Sequence, residues 1–104
     1  MNSNEKEISK KIGCLEVRLR SNSISVTNVE SSEVKILRLI VYYNYTVETP
    51  DKKVVKRRGK EELVKNIDLT PGAVFSTKFD IEITGVRIVY LCNDELRDDE
   101  IIFE

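Results

Sequence analysis

The chain has no histidine and no tryptophan, and it contains no glutamine either. Without imidazole there is no Ser-His-Asp or Cys-His catalytic site and no histidine-held metal. Its two cysteines, Cys14 and Cys92, are far apart and lack the C-x-x-C spacing of a structural zinc site. Two buried free thiols are therefore the expectation. The alternative is one disulfide tying the first strand to the last, which in a cytoplasmic protein points to a hyperthermophile. Abundant Lys, Glu and Ile lean that way, and seven asparagines lean back.

The four glycines form no phosphate-cradling loop and no G-x-S-x-G elbow. Neither a catalytic residue nor a cofactor site is expected, and no small-molecule substrate is implied. Asp98, Asp99 and Glu100 lack the spacing and glycine of an EF-hand, so no metal site is expected there. No apolar run approaches the ~18 residues of a membrane span, and the first dozen residues are polar, without a signal-peptide core. The expected location is the cytoplasm, away from membranes.

What is present is the composition of one globular domain. The 104 residues are 40% hydrophobic and 34% charged, enough for a single core and too apolar for disorder. A formal net charge of −1 argues against a general polyanion binder, so any nucleic-acid role has to be local.

Residues 1–11 carry no strong pattern and read as a mobile or loosely docked arm, although Ile8 and Ile12 at i, i+4 would suit a short helix. Alternation then begins with Leu15, Val17 and Leu19, and continues with Ile24 and Val26 after the Ser21-Asn22-Ser23 turn. From Val34 to Val47 the residues Leu37, Leu39, Val41, Tyr43, Tyr45 and Val47 fall on one face, which is assigned to the core. The other face mixes Val34, Ile36, Ile40 and Tyr42 with Arg38, Asn44 and Thr46. Thr49-Pro50-Asp51-Lys52 reads as a β-turn, and Thr70-Pro71-Gly72-Ala73 as a type II turn. Phe75 to Ile83 alternates strictly, and Val86 to Cys92 is apolar on both faces, as in a central strand.

These signals predict an all-β fold: a single antiparallel immunoglobulin-like sandwich of six to seven strands over residues 12–92, followed by an acidic tail over 93–104. The stretch from Ser23 to Ile83 resembles one half of an arrestin-type sandwich, with a V-x-N strand end, a long apolar strand, a charged hairpin and a Pro-Gly turn. The step from Leu69 through Pro71-Gly72 to Phe75 is also similar to FxLYD-type extracytoplasmic domains. The resemblance covers about sixty residues and implies a non-enzymatic interaction domain. Arrestins usually carry two sandwiches and a phosphate-sensing polar core; this chain has length for one, and no residues match that core.

Three surfaces are candidates for binding. Ile36, Ile40 and Tyr42 lie on the face that a lone sandwich would leave wet, and would take a protein partner or a second copy. A terminal segment of the chain itself would also cover that face. Lys52, Lys53, Lys56, Arg57, Arg58 and Lys60 fall within nine residues, as a polyanion site or as cations that discourage edge pairing. The acidic tail, with Asp94, Glu95, Asp98, Asp99, Glu100 and Glu104, is read as solvated, or as a salt-screened partner for the basic hairpin of its own chain or a neighbouring copy. Asn44-Tyr45-Thr46 forms a glycosylation sequon inside a strand and is read as chance. The functional expectation is a protein–protein interaction module, with a nucleic-acid-associated β domain as the alternative.

Overall fold

Apolar-polar alternation, punctuated by Pro-Gly, Asn-Asp and Gly-containing turns, dictates strands throughout. The computed structural model describes residues 7–20 and 22–102, and among them it forms eight strands and no helix. They are β1 (Glu7–Ile12), β2 (Leu15–Arg20), β3 (Ser23–Asn28), β4 (Val34–Glu48), β5 (Val54–Leu69), β6 (Val74–Lys78), β7 (Ile83–Cys92) and β8 (Glu95–Ile102). Among the described residues no helix is long and apolar enough to cross a membrane.

Two four-stranded sheets result, ordered β1-β2-β3-β6 and β5-β4-β7-β8, with every neighbouring pair antiparallel. Leu15, Val17, Ile24 and Val26 of the first sheet join Val34, Ile36, Leu39, Val41, Ile88 and Tyr90 of the second in one buried cluster. Burying each of these aliphatic side chains is worth about 1.5–3 kcal/mol.

The turns follow from residue chemistry. Ala73 N–H donates to the Thr70 carbonyl at 2.9 Å and Gly72 adopts φ 81°, closing the expected type II turn. Asn93 and Asp94, at φ 53° and 65°, form a two-residue hairpin turn of the primed kind that matches strand twist. Asn28 is buried at the end of β3 with its side chain fully used. Its Nδ2 donates to the carbonyls of Ser32 and Leu69, and its Oδ1 accepts from Glu30 N–H.

Several expectations change. The strand count rises to eight because both ends of the chain contribute strands. Glu7–Ile12 pairs along the whole of β2, so Ile8 and Ile12 belong to a strand that packs on the core instead of a helical arm; residues 1–6 lie outside the described residues. Glu95–Ile102 pairs with β7 and buries Ile101, so the acidic segment is an edge strand instead of a solvated tail; Phe103 and Glu104 lie outside the described residues. The cysteines are joined: Cys14, in the β1–β2 turn, meets Cys92, at the end of β7, with Cα atoms 6.5 Å apart. The bond crosses from one sheet to the other and closes a separation of 78 residues.

A further change lies inside β4. Ile36 pairs with Tyr90 and Arg38 with Val89, which leaves Leu37 as the extra residue of a bulge. One extra residue inverts the alternation. Val34 and Ile36 therefore face the core before the bulge, and Leu39 and Val41 face it after.

Candidate functional site

The bulge moves one of the three residues expected on an exposed apolar face. Ile36 is fully buried in the core. Ile40 stays on the outer face of the second sheet, yet it is only 5% exposed. Its strand neighbours are Glu62 on β5 and Arg87 on β7, and polar side chains close over it. Arg38 Nε donates to Glu62 at 2.7 Å, and Arg87 donates twice to Asp98, at 2.9 and 2.6 Å. Tyr42 is half-buried, with its hydroxyl donating to Glu100 at 2.7 Å.

Protonation follows this arrangement. The Arg87 hydrogen bonds hold Asp98 below the usual carboxylate range, and the bond to Glu100 together with burial raises Tyr42. Two of the carboxylates that cover this face come from β8, so the segment read as a solvated tail completes the sheet. Salt bridges and the Tyr42–Glu100 bond therefore flank Ile40, and the exposed apolar side chains of this outer face include Leu96 and Ile102 of β8.

The basic residues are placed differently. β7 pairs with β4 only as far as Tyr43, opposite Ile83, and beyond that level β4 has β5 as its sole partner. Asn44–Glu48 and Val54–Arg58 thus form a two-stranded ribbon that leaves the sandwich. At roughly 3.4 Å per residue its five-residue arms reach about 17 Å, consistent with a longest molecular extent of 54 Å. The tip is tied by Thr49: its N–H donates to the Lys53 carbonyl, its carbonyl accepts from Lys52 N–H, and its Oγ1 accepts from Lys53 N–H.

Strand register sorts the ribbon side chains. The inner face, continuous with the core face of β4, carries Tyr43 opposite Gly59, Tyr45 opposite Arg57 and Val47 opposite Val55. The outer face carries Asn44 opposite Arg58, Thr46 opposite Lys56 and Glu48 opposite Val54. Gly59 is required here by contact, because a Cβ at that position would come within 2.5 Å of the Tyr43 ring. The absence of that atom lets Tyr43 lie across β5, with the Tyr45 ring 6.1 Å away.

All six predicted cations, Lys52, Lys53, Lys56, Arg57, Arg58 and Lys60, are exposed on or at the base of this ribbon. So are Val54, at 70%, and Tyr45, at 43%. Against Glu48 and Asp51 the segment from Tyr43 to Lys60 carries +4, which leaves −5 on the rest of a chain whose net charge is −1. Below the inner face, a cleft of about 320 Å³ opens between Val41, Tyr43, Phe79 and Ile83. The structure therefore gathers cations, aromatic rings and aliphatic side chains on one projecting element.

Residue patterns marked the basic hairpin as a guarded edge but did not mark β8, the opposite edge of the same sheet. β5 and β8 each have a neighbour on one side only among the described residues. The Asn93-Asp94 dipeptide was the available signal for β8, since that pair favours primed turns. No protein family, curated protein or solved structure matches this chain.

Proposed function

We propose that the chain is a non-enzymatic protein-interaction module, an immunoglobulin-like sandwich whose binding element is the β4–β5 ribbon and whose partner presents an acidic protein surface. The observation that carries this reading is the exposure of Tyr45, Val54, Val55 and six cations together on a ribbon that projects beyond the sandwich. Tyr and Arg are the residue types most enriched at interface centres, and exposed aliphatic side chains gain free energy only from an apolar partner surface. The strand order supports the sandwich class. With β1 set aside, β2-β3-β6 facing β5-β4-β7-β8 corresponds to strands A-B-E facing C′-C-F-G of immunoglobulin-type domains.

A second reading, groove binding to nucleic acid, is favoured by the same six cations and by the fit of a two-stranded ribbon to a major groove. Val54 and Val55 gain nothing from phosphates, and the cations lie on both faces of the ribbon instead of one. The Cys14–Cys92 bond also bears on the setting. Disulfides persist in oxidising compartments and in the cytoplasm of hyperthermophiles.

Fluorescence anisotropy separates the readings, with a labelled strand-forming peptide of alternating Glu and Val as one probe and duplex DNA as the other. The proposal expects salt-sensitive peptide binding that weakens at least ~10-fold in Arg57→Glu/Arg58→Glu, loss of two buried-rim charge contacts being worth over about 1.4 kcal/mol. Tighter binding to the duplex, with affinity falling steeply in salt, would replace it with the nucleic-acid reading.

A further inference from the structure

We infer that the acidic surface taken by the ribbon is the β8 edge of a second copy of this chain, so that copies join edge to edge through β5 and β8. This inference rests on the ribbon reading above and names its partner. Both strands are edges of the same sheet, and four alternating antiparallel strands leave them running in opposite directions. A second copy in nearly the same orientation therefore brings its β8 antiparallel to β5, which is the geometry of the rest of the sheet.

The residues match in one antiparallel register. Placing Arg58 opposite Asp98 of the second copy sets Arg57 opposite Asp99 and Lys56 opposite Glu100, three opposite-charge pairs in succession. The same register sets Val55 opposite Ile101 and Val54 opposite Ile102 and puts Gly59 opposite Arg97, where a cation would repel; Lys60 falls opposite Leu96, and Glu61 opposite Glu95 is the one like-charge pair against three opposite-charge pairs. Faces agree as well as charges. Lys56 and Arg58 lie on the outer face of β5, and Glu100 and Asp98 lie on the outer face of β8, where they bond Tyr42 and Arg87. Arg57 lies on the inner face, as does Asp99, which accepts from the buried Tyr90 hydroxyl at 2.7 Å.

A slip of two residues keeps some ion pairs but sets Lys56 and Arg57 against Ile102 and Ile101. Cations on an edge ordinarily repel an incoming strand, and here three acids in register turn that guard into a selector.

The arrangement is staggered and open. Within one copy Arg97 lies level with Ile67, through Tyr90 and Ile36. Pairing Arg97 of the second copy with Gly59 displaces that copy by eight residues, or about 27 Å along the strands. The two surfaces differ, so the contact is heterologous and each copy retains one free ribbon and one free edge.

Sedimentation velocity tests this with Lys56→Glu, Glu100→Lys and the double variant. In about 20 mM salt the wild type should form a concentration-dependent series of oligomers that falls toward monomer at about 500 mM, where charges are screened within a few ångströms. Each single reversal should weaken association at least ~10-fold, and the double variant should recover it, because only this register places residues 56 and 100 opposite each other. Should Glu100→Lys fail to fold by circular dichroism, a synthetic peptide of residues 95–102 replaces it, and it should dissociate wild-type oligomers. A wild type that stays monomeric at low salt, singles without effect, or a double variant without recovery overturns the inference. A monomeric wild type that still binds the Glu-Val peptide leaves the ribbon reading standing; loss of both removes the two together.

Discussion

Strand β4 runs through two environments, and its two halves obey different rules. From Val34 to Val41 it lies between β5 and β7, with the first sheet packed over its inner face, and four of its side chains are buried in the common core. From Asn44 to Glu48 it has one neighbour and no covering sheet, although the alternation of Tyr43, Tyr45 and Val47 continues unbroken. The lesson is that periodicity reports which face is apolar and is silent on whether anything covers it. Coverage depends on the first sheet, whose strands span five or six residues against fifteen in β4. In the first half of β4 apolar side chains are buried in the core; in the second they are exposed.

The sharpest way to break this comparison is to truncate the same strand on either side of the boundary. Leu39→Ala removes a fully buried side chain and should cost about 3–4 kcal/mol in urea unfolding. A cost under about 1 kcal/mol would mean that the body is not packed around this position. Next in size is the disulfide. Cys14→Ser/Cys92→Ser frees a loop spanning 78 residues and should cost about 3 kcal/mol, or on the order of 10–15 °C in melting temperature. Equal melting temperatures with and without reductant would show that the bond contributes nothing to the body. Asn28→Ala should cost about 2 kcal/mol, since it strips buried partners from the Ser32 and Leu69 carbonyls and from Glu30 N–H. Asn28→Asp, which keeps the acceptor and loses the donor, should be no milder.

How much of this was legible in the residues differs element by element. β2, β3 and both proline turns follow from alternation and from the φ preferences of Pro and Gly, and they stand where expected, whereas the alternation from Phe75 to Ile83 is not one strand: β6 ends at Lys78 and Ile83 already belongs to β7. The Leu37 bulge has no local mark: no glycine or proline flags it, and only the pairing with Tyr90 and Val89 reveals it. It alone moved Ile36 from a supposed binding face into the core. β8 was obscured by charge, because Asp98, Asp99 and Glu100 resemble a solvated tail until Arg87, Tyr90 and Tyr42 are seen to receive them. The basic cluster was legible as composition, but its projection from the sandwich depends on the unequal lengths of the two sheets.

Alkaline pH probes the body through one side chain. Tyr90 is fully buried, and burial first, then its bond to Asp99, raises its ionisation above the ordinary tyrosine value. A raised folded-state value favours the protonated form, so this stability is complete below the unfolded value of about 10 and is lost as pH rises through the folded one. Of the four tyrosines, Tyr90 should therefore give its phenolate signal late and together with unfolding. Tyr90→Phe should remove that step.

The smallest stability effect belongs to the ribbon, and it is the one that most sharpens the comparison. Tyr45→Ala, Arg57→Glu and Val54→Ser alter exposed side chains on an element that no sheet covers, so each should change unfolding free energy by no more than about 0.5 kcal/mol. Association should respond in the opposite proportion, with Arg57→Glu weakening it most because it reverses a charge on the ribbon face that also carries Tyr45, its partner in register. A ribbon variant that unfolds the body would show that the two halves of β4 are one cooperative unit. Ribbon variants that leave stability intact and remove binding would show that β4 divides, near Tyr43, into a half that folds and a half that recognises.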